Sequence, residues 1–555
     1  MDTTAARHAA SELRPSWWRG AVGYEVYVRS FADDDGDGIG DLPGLRTRLG
    51  HLADLGVDVV WLTPVTPSPQ RDHGYDVSDY LGIEPAYGDL DDLAGVLEDA
   101  HELGLRVLLD LVPNHTSDQH PWFVDSRSSR DAEHRDFYVW RDPAPDGGPP
   151  NNWVSHFGGP AWSFDEGTGQ YYMHLFLPEQ PDLNWAEPRV RAAFEQILTT
   201  WFERGIDGVR IDVAHALVED PGFRDNPLLT EPVRTGATSS VFERFSHVHD
   251  LDQPGVVDIY RDWRRIADAY GALLLGEVYV LDAAKLQRYL TDDALHAAFA
   301  FATIEPGWDA AEIRAQLLPY VETFEDHGTF EDRLAWPLSS HDAPHAATRF
   351  GGGEVGARRA LAYLTLLCAL PGVPFLYQGD ELGLDDGILP EGVAQDPIAL
   401  RLDGVPGRDP ARTPMLWEPG EGHGFTTGTP WLPFGDNHDD RRSVAAQLGD
   451  PTSPLERTRA LLQTRRALPA LHGPSPATWL SDDGPVLIVE RGQEVVVALH
   501  VGDGEGPATL VLPETAGLAY ASDDTTVLLD GELTLPEDAA VIVVLDRDIE
   551  GEGTA

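Results

Sequence analysis

The chain has 555 residues, 42 % of them hydrophobic and 9 % aromatic, enough apolar material for a large packed core and too much for global disorder. Its formal net charge of −53 excludes a nucleic-acid binder, which must set Lys and Arg against phosphate, and a protein that docks on anionic lipid. A small neutral ligand such as a sugar fits this charge, while oligomeric state is left open.

Lys285 is the only lysine in the chain. Cys368 is the only cysteine and lies in an apolar stretch, so it reads as a buried structural thiol. An intrachain disulfide and a cysteine-based zinc site are excluded. The N-terminal segment MDTTAARHAASELRPSWW lacks the apolar core of a signal peptide. The longest apolar run, Leu361 to Tyr377, is interrupted by Pro371, Gly372 and Pro374. It reads as a buried helix feeding a buried strand rather than a membrane span. A soluble, cytoplasmic protein is expected.

Along the chain, short apolar runs end abruptly in polar residues. Val57–Leu62 meets Thr63, Leu105–Leu111 meets Asn114 and His115, and Val209–Val213 meets His215. Leu273–Leu275 meets Glu277, Arg333–Leu338 meets His341 and Asp342, and Val373–Tyr377 meets Gln378 and Asp380. Unalternated apolar runs suit strands buried on both faces of a parallel sheet. Helical periodicity lies between them, at Leu42–Leu55, Asp89–Leu103 and Arg189–Glu203. Strand and helix alternating over some 400 residues predict an α/β fold, a (β/α)8 TIM barrel with its chemistry at the C-terminal strand ends. Residues 1–115 and 181–450 are assigned to the barrel. Residues 116–180, rich in Pro, Gly, Asn and aromatics, form an insertion after the third strand. After a helix at Leu455–Leu468 the pattern alternates at Pro485–Glu490, Glu494–His500, Ala508–Leu512 and Ala540–Leu545. This makes 451–555 a C-terminal β-sandwich with a fraying DRDIEGEGTA tail.

Four signatures then stand in order: DLVPNH (Asp110–His115), GVRIDVAH (Gly208–His215), GEVYV (Gly276–Val280) and SSHD (Ser339–Asp342). Taken singly, each acid reads as a cap or a surface charge, and each histidine as a structural hydrogen bonder. Together they resemble the α-amylase family of glycoside hydrolases over roughly residues 20 to 420. Retaining glycoside hydrolysis needs two carboxyl groups about 5–5.5 Å apart, and adjacent strand ends can supply them. The resemblance implies Asp212 as nucleophile, Glu277 as acid/base and Asp342 as the third carboxylate, with His115 and His341 binding the same ring. Arg210, two residues before Asp212 on the same strand face, is expected to keep it ionised. Glu277 follows an apolar run, a setting that suits a proton donor.

Further motifs resemble the exo-acting α-glucosidase and oligo-1,6-glucosidase branch: VYVRSF (Val26–Phe31) and QPDLNW (Gln180–Trp185). By that resemblance Asp72 and Tyr75 line the pocket for the terminal sugar, with Phe157, Phe176 and Gln180 as further pocket residues. An arginine of RDPARTPM, Arg412 in preference to Arg408, pairs with Asp72 to close the pocket beyond one sugar. The acidic loop DDDGDGIGD has EF-hand-like spacing. Relatives hold a structural Ca²⁺ or Mg²⁺ there, which implies Asp33, Asp35, Asp37, Ile39 and Asp41 as ligands. No organic cofactor is implied. The chain departs from the pattern at Ser340, where Asn is usual, and at His345, where Arg is usual. Val213, after the nucleophile, accompanies α-1,6 activity in some relatives and maltose cleavage in others. The expected reaction is hydrolysis of terminal α-glucose from short oligosaccharides, with transglycosylation at high substrate. A trehalose-forming isomerase, a sucrose-active relative and a non-catalytic sugar-binding or transporter-subunit-like protein are the alternatives.

Overall fold

The computed structural model describes residues 17–232, 239–325, 333–402, 405, 407–473, 475–481, 483–502 and 504–545. Eight parallel strands close into a barrel: β1 (Gly23–Val26), β2 (Val59–Leu62), β3 (Arg106–Leu111), then, after the insertion, β7 (Gly208–Ile211), β8 (Leu273–Gly276), β9 (Ala297–Phe299), β10 (Leu334–Pro337) and β11 (Val373–Tyr377). The six apolar runs identified in the sequence all contribute strands. The two strands without such a run are β1, where Glu25 interrupts the apolar pattern, and β9, which is three residues long and reads AAF. Leu361–Tyr377 divides as the glycine and prolines dictate, into a helix at Gly353–Leu367 and strand β11.

Side chains alternate between two cores. Val59, Trp61, Leu108, Leu273, Leu275, Phe299, Ala335 and Phe375 fill the barrel interior, so the barrel is packed rather than hollow. The outward-facing residues, among them Val60, Leu62, Val209 and Leu274, join the helices in one larger core. Cys368 is fully buried there, and burial pushes its thiol up to about 12, which makes it inert near neutral pH.

Between β3 and β7 the chain leaves the barrel to form a small antiparallel sheet of β4 (Trp140–Arg141), β6 (Gln170–Met173) and β5 (Trp162–Asp165). A bridge between His115 and Asp182 ties the exit of this excursion to its return. It thereby brings Gln180 over the barrel mouth, onto His115. Two antiparallel sheets follow the barrel. One is ordered β12 (Ala477–Trp479), β13 (Val486–Arg491), β14 (Val495–His500), β19 (Ala539–Val544), β16 (Gly517–Ala521). The other is ordered β15 (Ala508–Val511), β18 (Glu532–Leu535), β17 (Val527–Leu529). Val496, Ala498, Leu533, Leu535, Val541 and Val543 form an apolar core of their own there. The DRDIEGEGTA tail lies outside the described residues. No helix among the described residues is long and apolar enough to cross a membrane.

Candidate active site

Strand register places the two principal acids. Ile211 pairs with Gly276, so the next residues, Asp212 and Glu277, stand side by side beyond the C-terminal ends of β7 and β8. Both ends are pinned by the ladder: Asp212 N–H donates to Leu111 O at 2.8 Å and Glu277 N–H to Ile211 O at 2.9 Å. A Cβ at Gly276 would meet Leu295 Cδ1 at 2.5 Å, so a larger residue there would have to displace the Leu295 side chain. One strand over, Asp110 pairs in register with Arg210.

Arg210 is the centre of this half of the site. Its Nη1 donates to Asp212 Oδ1 at 2.6 Å and to Asp110 Oδ1 at 3.0 Å, while Nη2 lies 2.9 Å from Glu277 Oε2. The guanidinium carbon lies 4.7 Å from the centre of the Trp61 ring. Three carboxyl groups therefore share one buried cation, so Arg210 does not serve Asp212 alone as the sequence suggested. Burial raises the Asp212 carboxyl well above the usual range; Arg210 opposes the rise, and Glu277 and Asp110 add to it. Burial likewise pushes Asp110 up to about 7, against the pull of Arg210.

Glu277 is also held by backbone. Val213 adopts φ 43°, a left-handed conformation that strains a β-branched residue. From it the Val213 N–H donates to Glu277 Oε2 at 2.9 Å, and the Ala214 N–H donates to Glu277 O at 2.8 Å. The carboxyl of Glu277 thus sits among donors; the apolar run before it faces the cores instead.

The opposite half is built from other elements. Asp342, beyond β10, accepts from Arg408 Nη1 at 3.0 Å and from Arg412 Nη2 at 2.8 Å. Burial works against its charge, but the guanidiniums of Arg408 and Arg412 outweigh burial and hold its carboxyl well below the usual range. The sequence favoured Arg412 as the partner of Asp72. The structure corrects this: Arg408 Nη2 donates to Asp72 Oδ1 at 2.8 Å, and Arg412 turns to Asp342 and to the carbonyl of His341, at 2.9 Å. The reason is the 3-10 turn at Asp409–Arg412, which separates the directions of the two side chains. Arg412 is anchored toward β1 by Ser30 Oγ on its carbonyl. Arg408 is locked by Asp396, which accepts from its backbone N–H, Nε and Nη2.

The remaining pocket residues fill the floor between the halves. Tyr75 stacks on His341 with ring centroids 5.4 Å apart, and its hydroxyl lies 3.0 Å from Asp110 Oδ2 and 2.8 Å from His341 Nε2. His341 Nδ1 rests on Glu25, an acid buried in β1. Gln180 Nε2 reaches Asp72 Oδ2 at 3.2 Å and His115 Nε2 at 3.0 Å. Burial lowers His115 to about 4 and takes His341 well below its usual value, so both are neutral near pH 7. Phe157 lies behind Arg408, 5.3 Å from its guanidinium carbon, and Phe176 packs on His115 at 5.1 Å. Of the catalytic and substrate-binding residues expected from the sequence, all but Gln180 and Arg412 line one cavity of about 860 Å³.

Sequence reasoning assigned no role to Glu25, Asp110 or Asp396. An acid inside a strand buried on both faces was the available signal for Glu25, and Asp110 opens a quoted motif. Asp396 lies in an irregular segment with no periodicity to mark it. At the departures, Ser340 Oγ accepts from Asp342 N–H at 3.3 Å, and His345 contacts Asp386 at 3.0 Å and Gln378 O at 3.2 Å, outside the ring of sugar-facing groups.

Away from this cavity, carboxylate oxygens of Asp33, Asp35 and Asp37 lie within 4.8 Å of one another. Gly36 and Gly38 allow the tight loop, at φ 82° and 94°. This hard oxygen set fits a hard divalent cation. Asp41 stands outside this trio: its oxygens accept backbone N–H groups from Gly44 at 2.6 Å and Asp34 at 3.0 Å, capping the helix Leu42–Leu55. Ile39 is tied to the same loop through its N–H, which donates to Asp37 Oδ1 at 2.7 Å.

Comparison with known proteins agrees with this geometry. The α-amylase catalytic-domain model matches residues 25–473. A probable α-glucosidase of Rhizobium meliloti (strain 1021) is 41 % identical over 95 % of this chain and 97 % of its own. An oligo-1,6-glucosidase of Halalkalibacterium halodurans is 37 % identical over 92 % of this chain and 96 % of its own. Among solved structures, an α-glucosyl transfer enzyme superposes with a TM-score of 0.89 at 37 % identity, covering 95 % of this chain and 99 % of that one. The chain belongs to the α-amylase family and is a glycoside hydrolase of that family.

Proposed function

We propose that the protein is an exo-acting, retaining α-glucosidase that releases terminal non-reducing α-linked glucose from short oligosaccharides of the maltose or isomaltose type. The observation that carries this reading is the meeting of Asp212 and Glu277 on one guanidinium, in a cavity closed behind by the Arg408–Asp72 pair. Carboxyl groups gathered on one guanidinium suit direct attack, whereas an inverting pair stands about 6.5–9.5 Å apart to admit water. Asp212 attacks the anomeric carbon and Glu277 protonates the departing oxygen. Glu277 then takes a proton from water, which displaces Asp212 with net retention. Asp342, kept ionised by two arginines, grips the sugar hydroxyls and stabilises positive charge on the ring in the transition state. Tyr75, His115, His341, Phe176 and Gln180 shape the ring pocket, and Asp72 with Arg408 ends it after one sugar. The relatives named α-glucosidase and oligo-1,6-glucosidase support this substrate class, and the α-glucosyl transfer enzyme supports transfer to a second alcohol at high substrate. Asp33, Asp35 and Asp37, with the Ile39 carbonyl and Asp41, would hold a structural Ca²⁺ or Mg²⁺ remote from the chemistry.

A panel of maltose, isomaltose, sucrose, trehalose and soluble starch, with chromatography and anomer-resolved NMR, tests the reading. Glucose released first as the α-anomer from a disaccharide, with starch a poor substrate, is the expected result. Release of β-glucose, or internal cleavage of starch, overturns it.

A further inference from the structure

Beyond the sugar-facing groups the cavity continues outward, and its outer walls are apolar. One wall comes from the insertion between β3 and β7 together with the segment after β7. Phe176, at the sugar end, stacks on His156 with centroids 4.7 Å apart and planes within 4°. His156 stacks on Phe242 at 3.9 Å, and Phe242 on His247 at 3.6 Å. A continuous ladder of four rings thus leads from the ring pocket toward the mouth. Burial takes His156 well below its usual pKa, so this rung is a neutral aromatic ring. The neighbouring wall follows β8. Tyr279 stacks on Phe301 at 4.8 Å, and Val280 and Leu281 follow it.

Three aliphatic side chains at this mouth stand open to water: Val248 at 50 %, Leu281 at 38 % and Val405 at 39 % exposure. Exposed aliphatic groups gathered around a cavity entrance mark a surface that something apolar covers. The charged groups of these outer walls are the acids Glu243, Asp252, Asp282, Glu305 and Asp386; among the described lining residues the one cation outside the sugar-facing groups is Lys285. Such a rim repels a phosphorylated or carboxylated ligand.

Resting on the glucosidase reading above, we propose that the outer cavity selects a neutral, apolar aglycone: an α-glucoside of an aliphatic or aromatic alcohol as donor, and such an alcohol as acceptor. In transfer, the alcohol oxygen attacks the anomeric carbon of the glucosyl ester on Asp212. Glu277 takes the alcohol's proton, and the Asp212 carboxylate leaves. Apolar surface on the aglycone is removed from water against the ladder and the aliphatic rim. A sugar phosphate would meet the acids of the rim.

The test compares kcat/KM for methyl and octyl α-glucoside, whose leaving groups have similar basicity, together with maltose and trehalose 6-phosphate. Octyl α-glucoside is expected to exceed methyl α-glucoside by roughly tenfold or more, with trehalose 6-phosphate the poorest of the four. The octyl-to-methyl ratio should fall at least threefold or so in Val248→Asn and in Leu281→Asn, and stay unchanged in Leu518→Asn on the distant C-terminal sheet. Equal rates on octyl and methyl α-glucoside, with glucose released from both, overturn the apolar-aglycone proposal and leave the glucosidase reading standing. Preferred cleavage of trehalose 6-phosphate overturns it as well. Release of glucose from none of the four overturns the glucosidase reading itself.

Discussion

The two halves of the site are made of the same residue types in different ratios. Around Asp212, one guanidinium faces three carboxyls: Asp110, Asp212 and Glu277. Around Asp342, two guanidiniums face three carboxyls: Asp72, Asp342 and Asp396. Asp212 is raised well above the usual carboxylate range, whereas Asp342 and Asp396 are held below it; Asp72 is raised, because burial there outweighs Arg408 and Arg412. In the cation-poor half one guanidinium does not offset burial at Asp212 or Asp110, and in the cation-rich half two guanidiniums fix the negative charge of Asp342. The difference shows burial and the arginines within reach acting against each other at every carboxyl, with the balance settled residue by residue.

The largest expected effect breaks the cation-poor half. Asp212→Ala and Glu277→Gln should each lower kcat by about 10²–10⁴-fold with an unchanged circular dichroism spectrum; near-normal turnover in either removes the assignment. Breaking the other half should cost less. Asp342→Asn is expected to reduce kcat by roughly 10²–10³-fold, since it removes transition-state charge stabilisation and leaves the nucleophile in place. Arg408→Gln should follow, with roughly 10–100-fold lower kcat/KM and a lower melting temperature, because buried Asp72 and Asp396 lose their partner. An unchanged melting temperature would contradict the pairing seen here.

A pH measurement sharpens the comparison. Asp212 must be ionised to attack, and its free-enzyme pKa is raised. The acid limb of kcat/KM should therefore lie above the ordinary carboxylate value of about 4, with activity lost as pH falls through it. Asp110 contributes to the rise, so Asp110→Asn should move the limb to lower pH. A shift to higher pH would contradict a crowd of acids sharing Arg210. The smallest effect concerns the acidic loop. Removing the cation with a chelator, or substituting Asp35→Asn with Asp37→Asn, should lower the melting temperature by a few degrees or so and leave the methyl α-glucoside kcat unchanged. A loss of kcat without loss of stability would point to a catalytic metal.

Much of this was legible because catalysis is attached to strand ends. Apolar runs ending in polar residues marked six of eight barrel strands and placed Asp212, Glu277 and Asp342 together. Strand β9 escaped notice because AAF is too short to carry a pattern, and β1 because Glu25, buried for its contact with His341, breaks it. The choice between Arg408 and Arg412 was not legible. It depends on a single 3-10 turn and on Asp396, a loop residue whose position only the folded chain defines. The left-handed backbone of Val213 was equally hidden, since valine carries no signal for it.

The division between the halves is tested most directly by trapping. Incubation with 5-fluoro-α-D-glucosyl fluoride should arrest turnover and add one fluoroglucosyl group, and peptide mass spectrometry should place it on Asp212. A label on Asp342 or Glu277, or inactivation without covalent addition, would contradict the account.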